Sequence, residues 1–99
     1  MKPILFEFTA PWCTRCKGME GIIDDLPEAY KAKVEIKKVS IDTDMDIANK
    51  YGVQSIPALV MVRNEEKIGE LLGLVTKGKV ERFIDEATGA TSGNGGTDV

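Results

Sequence analysis

The chain has 99 residues, and 13 Lys plus Arg against 16 Asp plus Glu, with no His, leave a net charge of −3. A chain of this length makes a single domain that buries roughly 60–70% of its unfolded surface, and it can fold without a metal or several disulfides. The 42% hydrophobic and 29% charged residues argue against disorder and against a membrane span, and the mild acidity argues against nucleic acid as a partner.

Ile4 to Phe8 is short and apolar, bounded by Pro3 and the Ala10-Pro11 corner, and is predicted to be a buried strand. From Thr14 to about Tyr30, Met19, Ile22, Ile23, Leu26 and Tyr30 recur at helical spacing and predict an amphipathic helix. Pro27 lacks a backbone donor, so a kink or restart is expected there, beside Asp24 and Asp25. Val34 to Ile41 carries apolar residues at 34, 36, 39 and 41 and is expected to be an internal parallel strand, with Lys38 unusual in its middle. Asp42 or Thr43 is expected to cap a short helix through Tyr51, which Gly52 stops.

Ala58 to Val62, the polar turn Asn64-Glu65-Glu66 and Lys67 to Leu72 predict an antiparallel hairpin. Thr76 is expected to cap a last helix with Val80, Phe83, Ile84 and Ala87 on its apolar face, ending at Gly89. The order β-α-β-α-β-β-α implies an α/β fold, a four-stranded mixed sheet with helices on both faces, over residues 1–89. Residues 90–99, rich in Gly, Ser and Thr, are expected to form a disordered tail. The run Ile4-Leu5-Phe6 is too short for a signal-peptide core and closes at Glu7, so the expected compartment is the cytoplasm.

Without His, the chemistry falls to carboxylates, Lys, Tyr and the two Cys, Cys13 and Cys16. In a reducing compartment a lone close Cys pair is a redox couple or a metal site rather than a structural staple. The two-residue spacing in a first helical turn brings the sulfurs within bonding reach, and the helix N-terminus favours a Cys13 thiolate. Cys13 can then attack a disulfide and Cys16 can resolve the mixed disulfide. A tetrahedral metal site would need four ligands, so a metal or cluster carrier would have to share the pair across a dimer. Met45 and Met61 are expected in the core.

These residues carry a resemblance to the thioredoxin family over about Pro3 to Thr88. Phe6-Glu7-Phe8 and Ala10-Pro11-Trp12-Cys13-Thr14-Arg15-Cys16 resemble its first core strand and Trp-Cys-x-x-Cys turn. Lys38-Val39-Ser40-Ile41-Asp42 is similar to its Lys-bearing strand, and Tyr51-Gly52-Val53 with Ile56-Pro57 to its cis-proline segment. Gly73 and Thr76-Lys77-Gly78 fall where the family has a glycine near the active site and the start of its last helix. The resemblance implies a small dithiol-disulfide oxidoreductase with Cys13 as nucleophile and Cys16 as resolving thiol. It also implies a surface of Trp12, Arg15, Ile56, cis-Pro57 and Gly73 for an extended substrate segment.

The same resemblance implies no bound cofactor, protein disulfides as substrates, and a flavin- or ferredoxin-dependent thioredoxin reductase upstream of a monomer. A glutathione-dependent, glutaredoxin-like reductase is the nearest alternative. Three departures stand out. The chain begins at the first core strand, Glu7 stands where the family usually has Asp, and Thr14-Arg15 replaces the usual Gly-Pro. Arg15 beside Cys13 favours the thiolate and predicts a less reducing couple. Glu7 and Lys38 are expected to approach each other behind Cys16, with Glu7 taking the Cys16 proton and Lys38 biasing its charge. The plainer readings are a packing Trp12, an ordinary strand proline at Pro57, and a Glu7 and Lys38 that simply reach water.

Overall fold

The computed structural model describes residues 2–89, so the expected tail at 90–99 lies outside the described residues. The elements are β1 (Ile4–Thr9), α1 (Thr14–Asp24), α2 (Glu28–Lys31), β2 (Glu35–Ser40), α3 (Met45–Lys50), β3 (Ala58–Arg63), β4 (Glu66–Leu72) and α4 (Lys77–Thr88). The four strands make one mixed sheet in the order β2-β1-β3-β4, with β1 parallel to β2 and antiparallel to β3, and β3 antiparallel to β4.

Strand alternation divides the core in two. Leu5, Leu59 and Met61 point to the face covered by Met19 and Ile23 of α1 and by Val80 and Ile84 of α4. Phe6, Phe8, Ala58, Val60 and Val62 point to the opposite face, closed by Ala48 of α3 and by Tyr51. The expected sandwich of helices on both faces is therefore present. β1 and β3 are its spine, and Leu5, Phe8, Leu59, Val60 and Met61 are essentially inaccessible to solvent.

The helix expected from Thr14 breaks at Asp24, and Pro27 restarts the chain as the N-cap of α2, with its carbonyl accepting from the backbone N–H of Tyr30 and Lys31. Thr76 caps α4 by accepting from the Lys79 N–H, and Gly89 ends it in the left-handed region at φ 75°. The β3–β4 hairpin turns at Asn64 and Glu65, both at positive φ, which suits the right-handed twist of a tight hairpin.

Three expectations are corrected. Among the described residues β2 is an edge strand rather than an internal one, hydrogen-bonded to β1 alone. Its apolar residues do serve both faces, Val34 and Ile36 one and Val39 and Ile41 the other, but coverage of the faces does not specify a strand on each flank. α3 is capped at Asp44 rather than at Asp42 or Thr43. Those two residues instead build the preceding turn, where Ser40 Oγ donates to Asp42 and Thr43 Oγ1 donates to the Ser40 carbonyl. Met45, finally, is half exposed rather than core: it opens α3 one turn before buried Ala48, at the rim of a recess it shares with Ile41, Val53 and Ile56.

Candidate functional site

β1 delivers the chain to one end of the sheet, where Ala10-Pro11-Trp12-Cys13 makes a tight turn closed by the Cys13 N–H donating to the Ala10 carbonyl at 3.2 Å. Pro11 presets its φ for the second position of such a turn. Trp12 at the tip is 67% exposed, so the packing reading of this residue is set aside.

Cys13 is the N-cap of α1, with extended backbone, and its Sγ accepts the Cys16 N–H at 3.2 Å. Sulfur thus occupies the place that Ser or Asp oxygen usually takes at a helix start. Cys13 and Cys16 are disulfide-bonded, with Cα atoms 5.2 Å apart. Cys13 is partly exposed whereas Cys16 is 1% exposed and faces the core. The first turn of α1 holds no acid and carries Arg15, which is exposed. A basic residue there forgoes dipole stabilisation of the helix but adds positive potential beside Cys13.

The remaining predicted residues meet at the same end of the sheet because β3 runs antiparallel to β1. Phe8 pairs with Ala58 and Ala58 with Leu72, which brings Pro57 and Gly73 level with the end of β1. The Ile56–Pro57 bond is cis, Pro57 is buried, and Ile56 is partly exposed. The Gly73 N–H donates to the Pro57 carbonyl at 2.8 Å, and Gly73 sits at φ 86°, where a side chain would be strained. Leu74 then lies over Gly18 of α1, where an added Cβ would be 3.4 Å from Leu74 Cδ1.

Glu7 and Lys38 are register partners on the face covered by α1. Glu7 is 2% exposed and its Oε2 has no hydrogen-bond partner. Burial is the main cause that pushes the Glu7 carboxyl up from 4.5 to about 7; Lys38 opposes the shift, and Glu20 and Asp24 add to it. Lys38 does not close an ion pair on Glu7. Its Nζ lies 3.6 Å from Oε1 of Glu20 on α1, and Thr9 Oγ1 donates to Glu20 Oε2 at 2.9 Å.

The structure thus gathers Trp12, Cys13, Cys16, Pro57 and Gly73 at one end of the sheet, with Arg15 and Ile56 beside them and Glu7 and Lys38 on the α1-facing side. Sequence reasoning missed Glu20 and Thr9. Thr9 continues the alternation of Leu5 and Glu7, and Glu20 follows Cys16 by four residues along α1, so both follow from periodicity once the register of β1 under α1 is known. It also missed Leu72 and Leu74, about half exposed on either side of Gly73. Among the described residues no three His, Cys, Asp or Glu side chains converge as a metal-binding group, and no helix is long and apolar enough to cross a membrane.

The thioredoxin family model matches residues 1–86. Similar curated proteins include chloroplastic thioredoxin M5 of Oryza sativa subsp. japonica, 39% identical over 85% of this chain and 49% of its own length. Thioredoxin C-2 of Corynebacterium nephridii is 36% identical over 85% of this chain and 78% of its own length. The chain therefore spans about half the length of the first and more than three quarters of the second. Among solved structures, a mutant thioredoxin from Halobacterium salinarum NRC-1 superposes with a TM-score of 0.77 at 26% identity, covering 88% of this chain and 75% of that one. The bonded Cys13–Cys16 pair thus lies within the matched residues, and the chain belongs to the thioredoxin family.

Proposed function

We propose that the chain reduces disulfide bonds in other proteins, with Cys13 as the attacking thiolate and Cys16 as the resolving thiol. The observation that carries this reading is the unequal exposure of the two bonded residues at the head of α1, Cys13 partly open and Cys16 1% exposed. Only Cys13 is open to a substrate disulfide. Its thiolate attacks one substrate sulfur and displaces the other as a thiolate, leaving a mixed disulfide. Cys16 then attacks Cys13 Sγ, the Cys13–substrate bond breaks, and the substrate leaves reduced by two electrons while the Cys13–Cys16 bond forms.

In this reading Glu7 accepts the Cys16 proton and Lys38 biases the charge on Glu7. Trp12, Arg15, Ile56, Pro57 and Gly73 form the contact surface. An extended substrate segment follows the backbone at Ile56, and a recess of about 140 Å3 beside it, lined by Ile41, Met45, Ala48 and Val53, accepts an apolar side chain. The oxidised chain is returned to its dithiol by a flavin- or ferredoxin-dependent thioredoxin reductase. It acts as a monomeric electron carrier in a reducing compartment such as the cytoplasm.

The test is to trap the intermediate. Cys16→Ser, reduced and mixed with a disulfide-bearing protein, is expected to accumulate a covalent adduct on Cys13 that a dithiol releases. Cys13→Ser is expected to form none and to lose turnover. Turnover retained by Cys13→Ser, or an adduct that maps to Cys16, would overturn the assignment.

A further inference from the structure

Two carboxylates and one ammonium occupy the strip where α1 crosses β1 and β2. Glu7, Thr9 and Lys38 share the α1-facing side of the sheet, and Glu20 descends on them from the helix. The ammonium of Lys38 has a choice of acids, and it lies 3.6 Å from Glu20 with no ion pair to Glu7 within 4.0 Å. Solvation explains the choice. The Glu20 side chain is 30% exposed and that of Lys38 50% exposed, whereas Glu7 is 2% exposed, so a pair with Glu20 keeps both charges wet and a pair with Glu7 would bury the ammonium. Thr9 Oγ1 fixes the other Glu20 oxygen at 2.9 Å, which pins the carboxylate in place.

We propose that Glu20 is a positioning residue for the proton step: clamped by Thr9, it draws the Lys38 ammonium to itself and holds it out of ion-pair contact with the Glu7 carboxylate. The proposal rests on the reading of Glu7 as proton acceptor. The charged groups facing Glu7 are Lys38 from β2 and Glu20 and Asp24 from α1, while its β3 neighbour Leu59 is apolar. Of these, Lys38 favours the ionised carboxyl and Glu20 and Asp24 oppose it.

The consequence falls on resolution of the mixed disulfide. As Cys16 Sγ attacks Cys13 Sγ, its thiol proton passes to the Glu7 carboxylate, and the substrate sulfur departs with the electron pair of the broken bond. A fully paired carboxylate would be too weak a base for that proton; one whose ammonium is held out of contact ionises near neutral pH and can both take the proton and release it. Removing the Glu20 charge acts twice in one direction, since it relieves repulsion on Glu7 and frees Lys38 to approach it.

The experiment follows two quantities in the wild type, Glu20→Gln and Glu7→Gln. One is the titration of the Glu7 carboxyl by carbon-13 NMR in the oxidised protein. The other is the pH profile of the second thiolate released when the reduced protein meets an excess of a chromogenic aromatic disulfide. Glu20→Gln is expected to lower the Glu7 midpoint by about 1 pH unit and to move the profile of the second release down with it. In a Lys38→Met background the same substitution is expected to shift the midpoint by less than half as much. Thr9→Val, which leaves the helix sequence intact, is expected to give a smaller shift of the same sign. A Glu7 midpoint that stays put in both Glu20→Gln and Thr9→Val overturns the role of Glu20 while leaving Glu7 in place. A second release indifferent to Glu7→Gln overturns the reading of Glu7 itself, and the NMR midpoint still decides where the ammonium sits.

Discussion

Glu7 makes the stability of the domain depend on pH in a direction opposite to that of an ordinary salt-bridged carboxylate. Its carboxyl is raised from 4.5 to about 7 in the folded chain, chiefly by burial. Below 4.5 both the folded and the unfolded chain hold the proton. Between 4.5 and about 7 only the folded chain holds it, so stability falls as pH rises, and above about 7 the buried charge costs about 3 kcal/mol. Urea denaturation of the oxidised protein is therefore expected to find Glu7→Gln more stable than the wild type by about 2–3 kcal/mol at about pH 8 and within about 1 kcal/mol of it at about pH 4. Parallel stability curves across that range would contradict the argument. Arg15 acts on the nucleophile instead. Its positive charge beside the head of α1 favours the thiolate form of Cys13, so Arg15→Pro is expected to make the couple more reducing. Equilibration with dithiol buffers measures this, and a midpoint that rises or stays level would refute it.

At the scale of elements, the break at Pro27 has to be tied back to the rest of the fold, because α2 has only four residues. Asp85 of α4 does this. It is 8% exposed and accepts from Tyr30 Oη at 3.0 Å and from Lys33 Nζ at 2.6 Å, while Lys33 also lies 4.6 Å from the Tyr30 ring centroid. The hydrogen bond to Asp85 is the first cause that pushes the Tyr30 hydroxyl up from 10.0. Tyr30→Phe is expected to destabilise the domain by about 1 kcal/mol and Asp85→Ala by more, since the latter strands both donors; equal losses in chemical denaturation would count against a shared acceptor. The hairpin, the capped last helix and the restart at Pro27 were legible because each rests on residues adjacent in sequence. The Cys pair was legible for the same reason, with both sulfurs on one helical turn. β2 at the sheet edge was not, because apolar residues at 34, 36, 39 and 41 report covered faces and say nothing of hydrogen-bonding neighbours. Glu20 stayed hidden because its role depends on the register of a helix over two strands. Met45 misled because its hydrophobicity does not say that the recess it lines beside Ile41 and Val53 stays open to solvent.

For the whole molecule, placing β1 and β3 at the centre gathers the reactive end of the sheet from three separate chain segments. The turn after β1, the Ile56–Pro57 junction before β3 and Gly73 after β4 are joined by pairing of Phe8 with Ala58 and of Ala58 with Leu72. Among the described residues the same arrangement puts β2 and β4 at the two edges of the sheet. Each edge is a row of backbone donors and acceptors that a second chain could extend, and each is guarded. β2 carries exposed Glu35, Lys37 and Lys38, and β4 carries exposed Glu66, Lys67 and Glu70 with a register shift opposite Met61 and Val62. Replacing Glu35 and Lys37 together by Val is accordingly expected to yield concentration-dependent assembly in sedimentation velocity, where the parent chain stays a single species. Charge along these margins thus protects the protein from aggregation, a role separate from any electron it carries.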